Sequence, residues 1–312
     1  MRVALMIEGQ EDVTWEDWVT IAEACERSGV EALFRSDHYL SVSGAYERGA
    51  LDAWATINGL AARTTRLRLG TLVSPASFRH PSVLAKLATS ADHISGGRIE
   101  LGLGTGWSEP EHRAFGFPFG SMGERMDVLE EQLAIVHDGH WGEGAFSFHG
   151  RHYTLEALDA RPKPIQRPHP PLIMGGGAGP RAARLAARYA DEYNTFGPTI
   201  EQAIERRAGI MAACDASGRA PLPFSVMATS LIGASEADVR RRAEELAGLR
   251  GGGAIDLAAV SDTWIVGTVA QVAERLRAYE QVGVERIYLQ HLLHRDIEAI
   301  ELIGRELVPA VA

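Results

Sequence analysis

Short apolar runs alternate with amphipathic stretches along most of the chain. Val3 to Ile7 reads as a buried strand, and Thr14 followed by Asp17 resembles a capping box that opens a helix ending near Gly29. Trp15, Trp18, Val19, Ala22 and Cys25 fall on one face of that helix, which should pack on a sheet. The unit then repeats. Val30 to Phe34, Leu67 to Val73 and Arg98 to Gly104 are strands, with helices at Ala50 to Ala62 and Pro81 to His93 between them. The rhythm breaks after Gly104. Gly106 to Ser121 is loop-like, Glu124 to His137 is helical with Met126, Leu129, Leu133 and Val136 as its apolar stripe, and Ala145 to Leu155 alternates like a hairpin. Alternation resumes with strands at Leu172 to Met174, Asp191 to Phe196, Phe224 to Leu231 and Arg286 to Gln290. Helices near Arg181 to Tyr189, Ile200 to Ala216, Glu236 to Ala247 and Val269 to Gln281 separate them.

Strands joined through helices pair in parallel, because each crossover carries the helix over a sheet face. Eight βα units in 312 residues predict an α/β (β/α)8 TIM barrel, a fold that commonly takes about 250 residues before insertions. The chain is therefore read as one TIM-barrel domain, 1–312, with an insertion after strand 4 at about 106–170. A lid-like loop is expected near 249–263, around Gly251, Gly252 and Gly253.

Composition narrows the function. The formal charge of −10 argues against nucleic acid or an anionic membrane surface, and small molecules remain as partners. Cys25 and Cys214 are isolated thiols without metal-ligand spacing, and the histidines between Gly104 and Pro171 lack paired-ligand spacing, so no metal is expected. The first apolar run is too short for a signal peptide or a span, so the expected compartment is the cytoplasm.

Chemistry in such a barrel gathers at the carboxyl ends of the strands. Pro171-Pro-Leu-Ile-Met-Gly-Gly-Gly-Ala-Gly-Pro-Arg181 joins a strand to a helix through Gly175, Gly176 and Gly177. Backbone N–H groups bared by glycine at a helix start suit a phosphate, and a tight turn needing positive φ explains the triplet equally well. Strand two ends in Arg35-Ser-Asp-His38. Asp37 could orient His38 for proton transfer, or it could cap the next loop beside a surface histidine. Gly70 within strand three either marks a bulge against which a flat ring lies or relieves crowding inside the barrel. Gly102-Leu-Gly-Thr-Gly-Trp107 mimics a dinucleotide fingerprint, but it lacks the third glycine and follows the fourth strand. A phosphate seat and an Asp-His pair, without metal or nucleophile motif, together suit a phosphate-bearing cofactor that supplies the chemistry.

These residues resemble the luciferase-like (bacterial luciferase superfamily) oxidoreductases, and within them the branch using the deazaflavin coenzyme F420. The matching motifs are Phe34-Arg-Ser-Asp-His38, Leu69-Gly-Thr-Leu-Val73, Arg79-His-Pro81, Gly97 to Trp107, Phe115-Gly116, Arg161-Pro-Lys-Pro164, Ile173 to Gly177, Ala190-Asp191 and Gly267 to Leu276. The resemblance implies a flavin-like ring at the barrel mouth and a homodimer. It places His38 and Asp37 near the reactive carbon, and Thr71 along the ring. Leu72-Val73 falls where relatives carry a non-prolyl cis peptide against the ring. Gly104, Thr105, Gly106 and Trp107 would flank the ring and its chain, and Gly175, Gly176 and Gly177 would take the phosphate. Ser108-Glu-Pro110 departs from relatives that often place Asn there. The implied activity is hydride transfer between coenzyme F420 and a small organic substrate. The alternatives are an FMN-dependent two-component monooxygenase and a non-catalytic flavin binder.

Overall fold

A computed structural model describes all 312 residues. The strands and helices, numbered in chain order, open with β1 (Arg2–Ile7), α1 (Trp15–Ser28), β2 (Ala32–Arg35), α2 (Ala53–Arg63), β3 (Arg68–Thr71), β4 (Ser74–Pro75), α3 (Pro81–Ser95) and β5 (Ile99–Gly104). Then come α4 (Glu109–Phe115), α5 (Met122–Ala134), β6 (Phe146–His149), β7 (Thr154–Leu158), β8 (Leu172–Gly175), α6 (Pro180–Tyr189), β9 (Glu192–Phe196), α7 (Ile200–Ala216) and β10 (Phe224–Gly233). The chain finishes with α8 (Glu236–Leu249), α9 (Leu257–Val260), β11 (Ile265–Thr268), α10 (Val269–Gln281), β12 (Arg286–Gln290), α11 (Ile297–Leu302) and α12 (Val308–Ala310).

Strands β1, β2, β3, β5, β8, β9, β10 and β12 pair in that order, every pair parallel, and β12 returns to β1. The sheet is thus the closed eight-stranded α/β barrel that the alternation predicts. The third staff is broken in two: β3 stops at Thr71, the Leu72–Val73 peptide is cis, and β4 resumes pairing with β5. Period-two alternation sends Ala4, Met6, Ala32, Phe34, Ile173 and Tyr288 into the barrel, where they form one apolar cluster with Leu72. The opposite faces of the same strands join the helices in the larger core.

The segment 106–170, expected as an insertion after strand 4, also supplies one of the barrel's outer helices. Helix α5 runs on as a π-helical stretch, Ile135–Trp141, and the pair packs between α3 and α6 as the barrel's fourth outer helix. The reason is its apolar stripe: Leu129, Leu133 and Val136 are buried in the main core. Gly106 to Ser121 is not all loop either, because it contains α4. Helices α11 and α12, with the π turn Ile303–Leu307 between them, pack on α1 and α10 and complete the outer ring.

A second excursion follows β10. Strand β11 lies beside the upper half of β10, with Ser230 opposite Ile265 and Gly233 opposite Thr268. Leu231, Ala243, Leu246 and Leu293 form a small separate core there, joined by Leu257 and Trp264. In the expected lid-like loop, Gly251, Gly252 and Gly253 all take positive φ, and Arg48 from the β2–α2 loop donates to the Leu249 carbonyl at 2.7 Å. That bond places the segment on the mouth rim. No helix is long and apolar enough to cross a membrane.

Candidate active site

Asp37 and His38 follow β2 after Ser36, and adjacent residues in extended chain turn to opposite sides. The two side chains accordingly part. Asp37, fully buried, accepts from Ser74 Oγ at 2.6 Å and from both ends of Arg79 at 2.6 and 3.1 Å. Its partner is Arg79, so it is not the group that orients His38. That group is Glu111 of α4, whose Oε2 lies 2.7 Å from His38 Nδ1. The Glu111 carboxylate is fully buried and also accepts from the backbone N–H of Tyr39 and, at 3.1 Å, of Leu40. Burial alone pushes the His38 pKa down, but the Glu111 hydrogen bond and charge, with smaller contributions from Glu8 and Asp37, outweigh it and raise the value. Nδ1 being committed to Glu111, Nε2 is the nitrogen left for other chemistry. The Trp107 ring stands edge-on to the imidazole at 5.7 Å between centroids, and its side chain is 63% exposed.

Glycines form one wall of the mouth. A Cβ on Gly102 would lie 2.0 Å from the Thr71 carbonyl oxygen, one on Gly104 2.7 Å from Val73 Cγ2, and one on Gly175 3.0 Å from Val73 Cγ1. No side chain other than hydrogen fits at Gly102 and Gly104, so β5 and β8 approach the Leu72–Val73 turn as bare backbone. Of the residues expected to line a ring, Val73 is half-buried on this shelf, Leu72 is buried in the interior cluster, and Thr71 is wholly buried beneath it. Thr71 Oγ1 donates to the Gly102 carbonyl at 3.1 Å and lies 3.1 Å from Ser74 Oγ, so it braces the shelf from behind and stands apart from the open face. Thr105 and Gly106 continue the shelf outward, Gly106 at φ +76°. Gly70 packs against Phe34 and the Glu100 backbone, so its role is to relieve crowding inside the barrel.

The glycine turn after β8 is open at its tip. The Gly176 N–H bonds the Asn194 carbonyl at 3.0 Å and the Ala178 N–H bonds Tyr193 Oη at 2.9 Å, whereas a Cβ on Gly177 would meet nothing within 4 Å. Helix α6 begins just beyond, with Gly179 as N-cap, no side-chain cap, and Pro180 in its first turn. Uncapped N–H groups beside an uncovered glycine suit an anionic oxygen. Arg206, held by Thr195 Oγ1 at 2.5 Å, places a positive charge behind this turn. A flat ring against bare strand backbone, continued by a phosphate on the turn, therefore fits the residues present.

The wall opposite is polar. Gln290 at the end of β12 donates to Glu8 at 2.5 Å and accepts from Thr229 Oγ1 at 2.5 Å, and Gln10 donates to the other Glu8 oxygen at 2.8 Å. Phe196 ends β9 on the same inward register as Glu192 and Asn194, and it is 55% exposed. Sequence reasoning missed Glu111, Arg206 and Glu8, and it gave no role to Arg79 of the Arg79-His-Pro81 motif or to Gln290 at its strand end. Glu111 carries one legible sign: it occupies the third position of α4 after Ser108, where a capping-box carboxylate belongs, yet Ser108 makes no side-chain cap.

A model described as luciferase-like monooxygenase matches residues 1–286. An FMNH2-dependent dimethylsulfone monooxygenase of Pseudomonas putida is 30% identical, the match covering 93% of this chain and 86% of that protein. An F420-dependent secondary alcohol dehydrogenase in complex with an F420-acetone adduct superposes with a TM-score of 0.85 at 16% identity, covering 100% and 99% of the two chains. The monooxygenase RslO1 of Streptomyces bottropensis gives 0.83 at 21% identity over all of both chains. The barrel, its glycine shelf and the match over residues 1–286 make this chain a member of the luciferase-like monooxygenase family of oxidoreductases.

Proposed function

We propose that the protein moves a hydride between coenzyme F420 and a small organic substrate, with His38 as the proton donor or acceptor. The observation that carries this reading is the His38–Glu111 pair: a protonatable imidazole fixed through Nδ1 at the barrel mouth, beside a bare backbone shelf. Bound deazaflavin would supply or accept the hydride at its ring carbon. Gly104, Val73 and Gly175 would support the ring, and Gly177 with the first turn of α6 would hold the phosphate. His38 Nε2 gives a proton to a substrate oxygen that gains electrons, and removes one in the opposite direction. Its raised pKa keeps the imidazole charged to higher pH than a free histidine.

Glu111→Gln keeps the shape of the side chain and removes its charge. The pH limb of kcat that requires protonated His38 is expected to move to lower pH, while the Kd for cofactor stays unchanged. An unmoved limb would remove Glu111 from the mechanism. The stability effect has a definite sign: the folded pKa is raised, so the pair's contribution is complete below the ordinary histidine value and is lost as pH rises through the raised one.

A second reading is an FMNH2-dependent monooxygenase, favoured by the 30% identical relative over 93% of the chain. Equilibrium titrations of the apo-protein with oxidised F420 and with FMN, followed by cofactor fluorescence, separate the two. Saturable F420 binding with weak FMN binding, then turnover without oxygen, is the expected result. Tight FMN binding with oxygen-dependent product overturns it.

A further inference from the structure

Glu8 stands at the mouth end of β1. Alternation along that strand turns Ala4 and Met6 into the barrel, so Glu8, two residues on, faces inward above Met6. Met6 is paired with Phe34 of β2. Glu8 is therefore level with Ser36 and one inward step, about 7 Å along the strand, below His38. Both Glu8 oxygens are held by carboxamides, Oε1 by Gln290 and Oε2 by Gln10. Those amides are fixed in turn. Gln290 Oε1 accepts from Thr229 Oγ1, and Gln10 Oε1 accepts at 2.5 Å from Ser36 Oγ, which itself accepts the Gly9 N–H at 3.0 Å. The carboxylate is thus oriented from both sides, yet about half of its lone-pair sites remain and it is partly exposed to the mouth. Its neighbour Glu11 pairs with Arg48, and Glu111 with His38, whereas no arginine, lysine or histidine lies within ion-pair distance of Glu8. Arg79 is committed to Asp37 and Asp52. The chain's two lysines, Lys86 of α3 and Lys163 before β8, bond the Arg161 and His140 carbonyls. Around the mouth, Trp107, Phe196 and Tyr46 stand exposed on segments that follow the strand ends.

An inward carboxylate with spare acceptor sites and no cation beside it attracts a charged donor and repels an anion. We propose that the substrate is an amino alcohol with an apolar body: its ammonium binds Glu8, its carbinol lies at His38, and its body rests against Trp107 and Phe196. The inference rests on the hydride-transfer reading and names the substrate class for it. In the oxidative direction the carbinol carbon loses a hydride to the coenzyme, the hydroxyl proton goes to His38 Nε2, and a carbonyl remains with the amine unchanged.

Three matched probes differ only in the group beside the carbinol: phenylethanolamine carries an aminomethyl group, methyl phenyl carbinol a methyl, and mandelate a carboxylate. Calorimetric titration of the full-length protein, alone and saturated with whichever coenzyme it binds, is expected to rank them in that order. The amine should bind about tenfold more tightly than the methyl probe, by a margin that shrinks at high salt. Glu8→Gln, which keeps the size and removes the charge, is expected to bring the amine to within about twofold of the methyl probe, and Glu8→Asp to retain most of the margin. A purely structural role for Glu8 would instead lower all three affinities together. No preference for the amine in the wild type, an unchanged preference or a loss shared equally by all three probes in Glu8→Gln, or no binding of any probe overturns the inference. These are binding results, so they leave the hydride-transfer reading standing; that reading falls separately, when F420 itself fails to bind.

Discussion

His38→Ala is expected to lower kcat for hydride transfer by about 10²- to 10⁴-fold, the range a positioned acid or base contributes, while the Kd for cofactor stays within about threefold. The split follows from where the groups sit. On the proposed reading the ring and phosphate would rest on the backbone of β5, β8 and the turn at Gly177, while the side-chain partner of the imidazole is Glu111. His38 instead holds Glu111 at 2.7 Å and stands edge-on to Trp107. Removing it leaves Glu111 two backbone donors, Tyr39 and Leu40, so the loop after β2 keeps its anchor. Single-turnover reduction or oxidation under anaerobic conditions, paired with a fluorescence titration, reads both quantities. Normal binding with wild-type turnover would strip His38 of its catalytic role; weakened binding with unchanged turnover of the bound state would make it part of the cofactor seat.

The barrel strands were legible because each is a short apolar run bounded by turn residues. β12 spans the same residues that the pattern marks, as do α7 and α10. What escaped was either short or set by distant contacts. Strand β11 is four residues, Ile-Val-Gly-Thr, pressed against the start of α10, and no periodicity develops over that length. Helix α4 opens Glu-Pro-Glu and buries only Glu111 and His112, so it lacks an apolar stripe. The partner of His38 was hidden for a stronger reason. Asp37 is its neighbour in sequence, but extended geometry turns them apart, and the carboxylate that reaches Nδ1 comes from 73 residues downstream. The Gly175–Gly177 turn was readable as an anion seat or a tight turn. Gly176, at positive φ and bonded to the Asn194 carbonyl, answers to the tight turn, and the open tip at Gly177 is what the proposed anion seat draws on.

The largest effect on stability is expected from the barrel floor. Arg286 of β12 lies inside the barrel with Nη1 2.7 Å from Glu100 of β5 and 3.4 Å from Glu192 of β9, and Tyr288 donates to Glu192 at 2.7 Å. Burial alone would raise the Glu100 pKa, but Arg286 and then Arg68 outweigh it and hold the value at about 2. Arg286→Met keeps a long side chain over Phe34 and Tyr288, whose ring centroids lie 5.0 and 4.7 Å from the guanidinium, and leaves Glu100 with Arg68 alone and Glu192 with only the Tyr288 hydroxyl. Breaking one member of a buried ion network costs about 3–5 kcal/mol, which for a chain of this size corresponds to a fall in Tm on the order of 10 °C. The gap should also depend on pH with a fixed sign. In the wild type Glu100 contributes stability above its ordinary value of 4.5 and loses it as pH falls through about 2. Without Arg286 that carboxylate takes up its proton at higher pH, so the difference between the two proteins should narrow as pH drops from neutral through this window. Thermal unfolding of both at matched pH reads the gap, and a Tm change under about 2 °C at neutral pH would remove the network from the forces holding the barrel. The same strands carry the mouth: Gly102 and Gly104 follow Glu100 on the inward face of β5 at intervals of two. A floor that fixes β5 against β12 thereby fixes the height of the shelf above it, and Arg286→Met is expected to weaken cofactor binding by a few fold at temperatures where the fold is still intact, on the order of 1 kcal/mol.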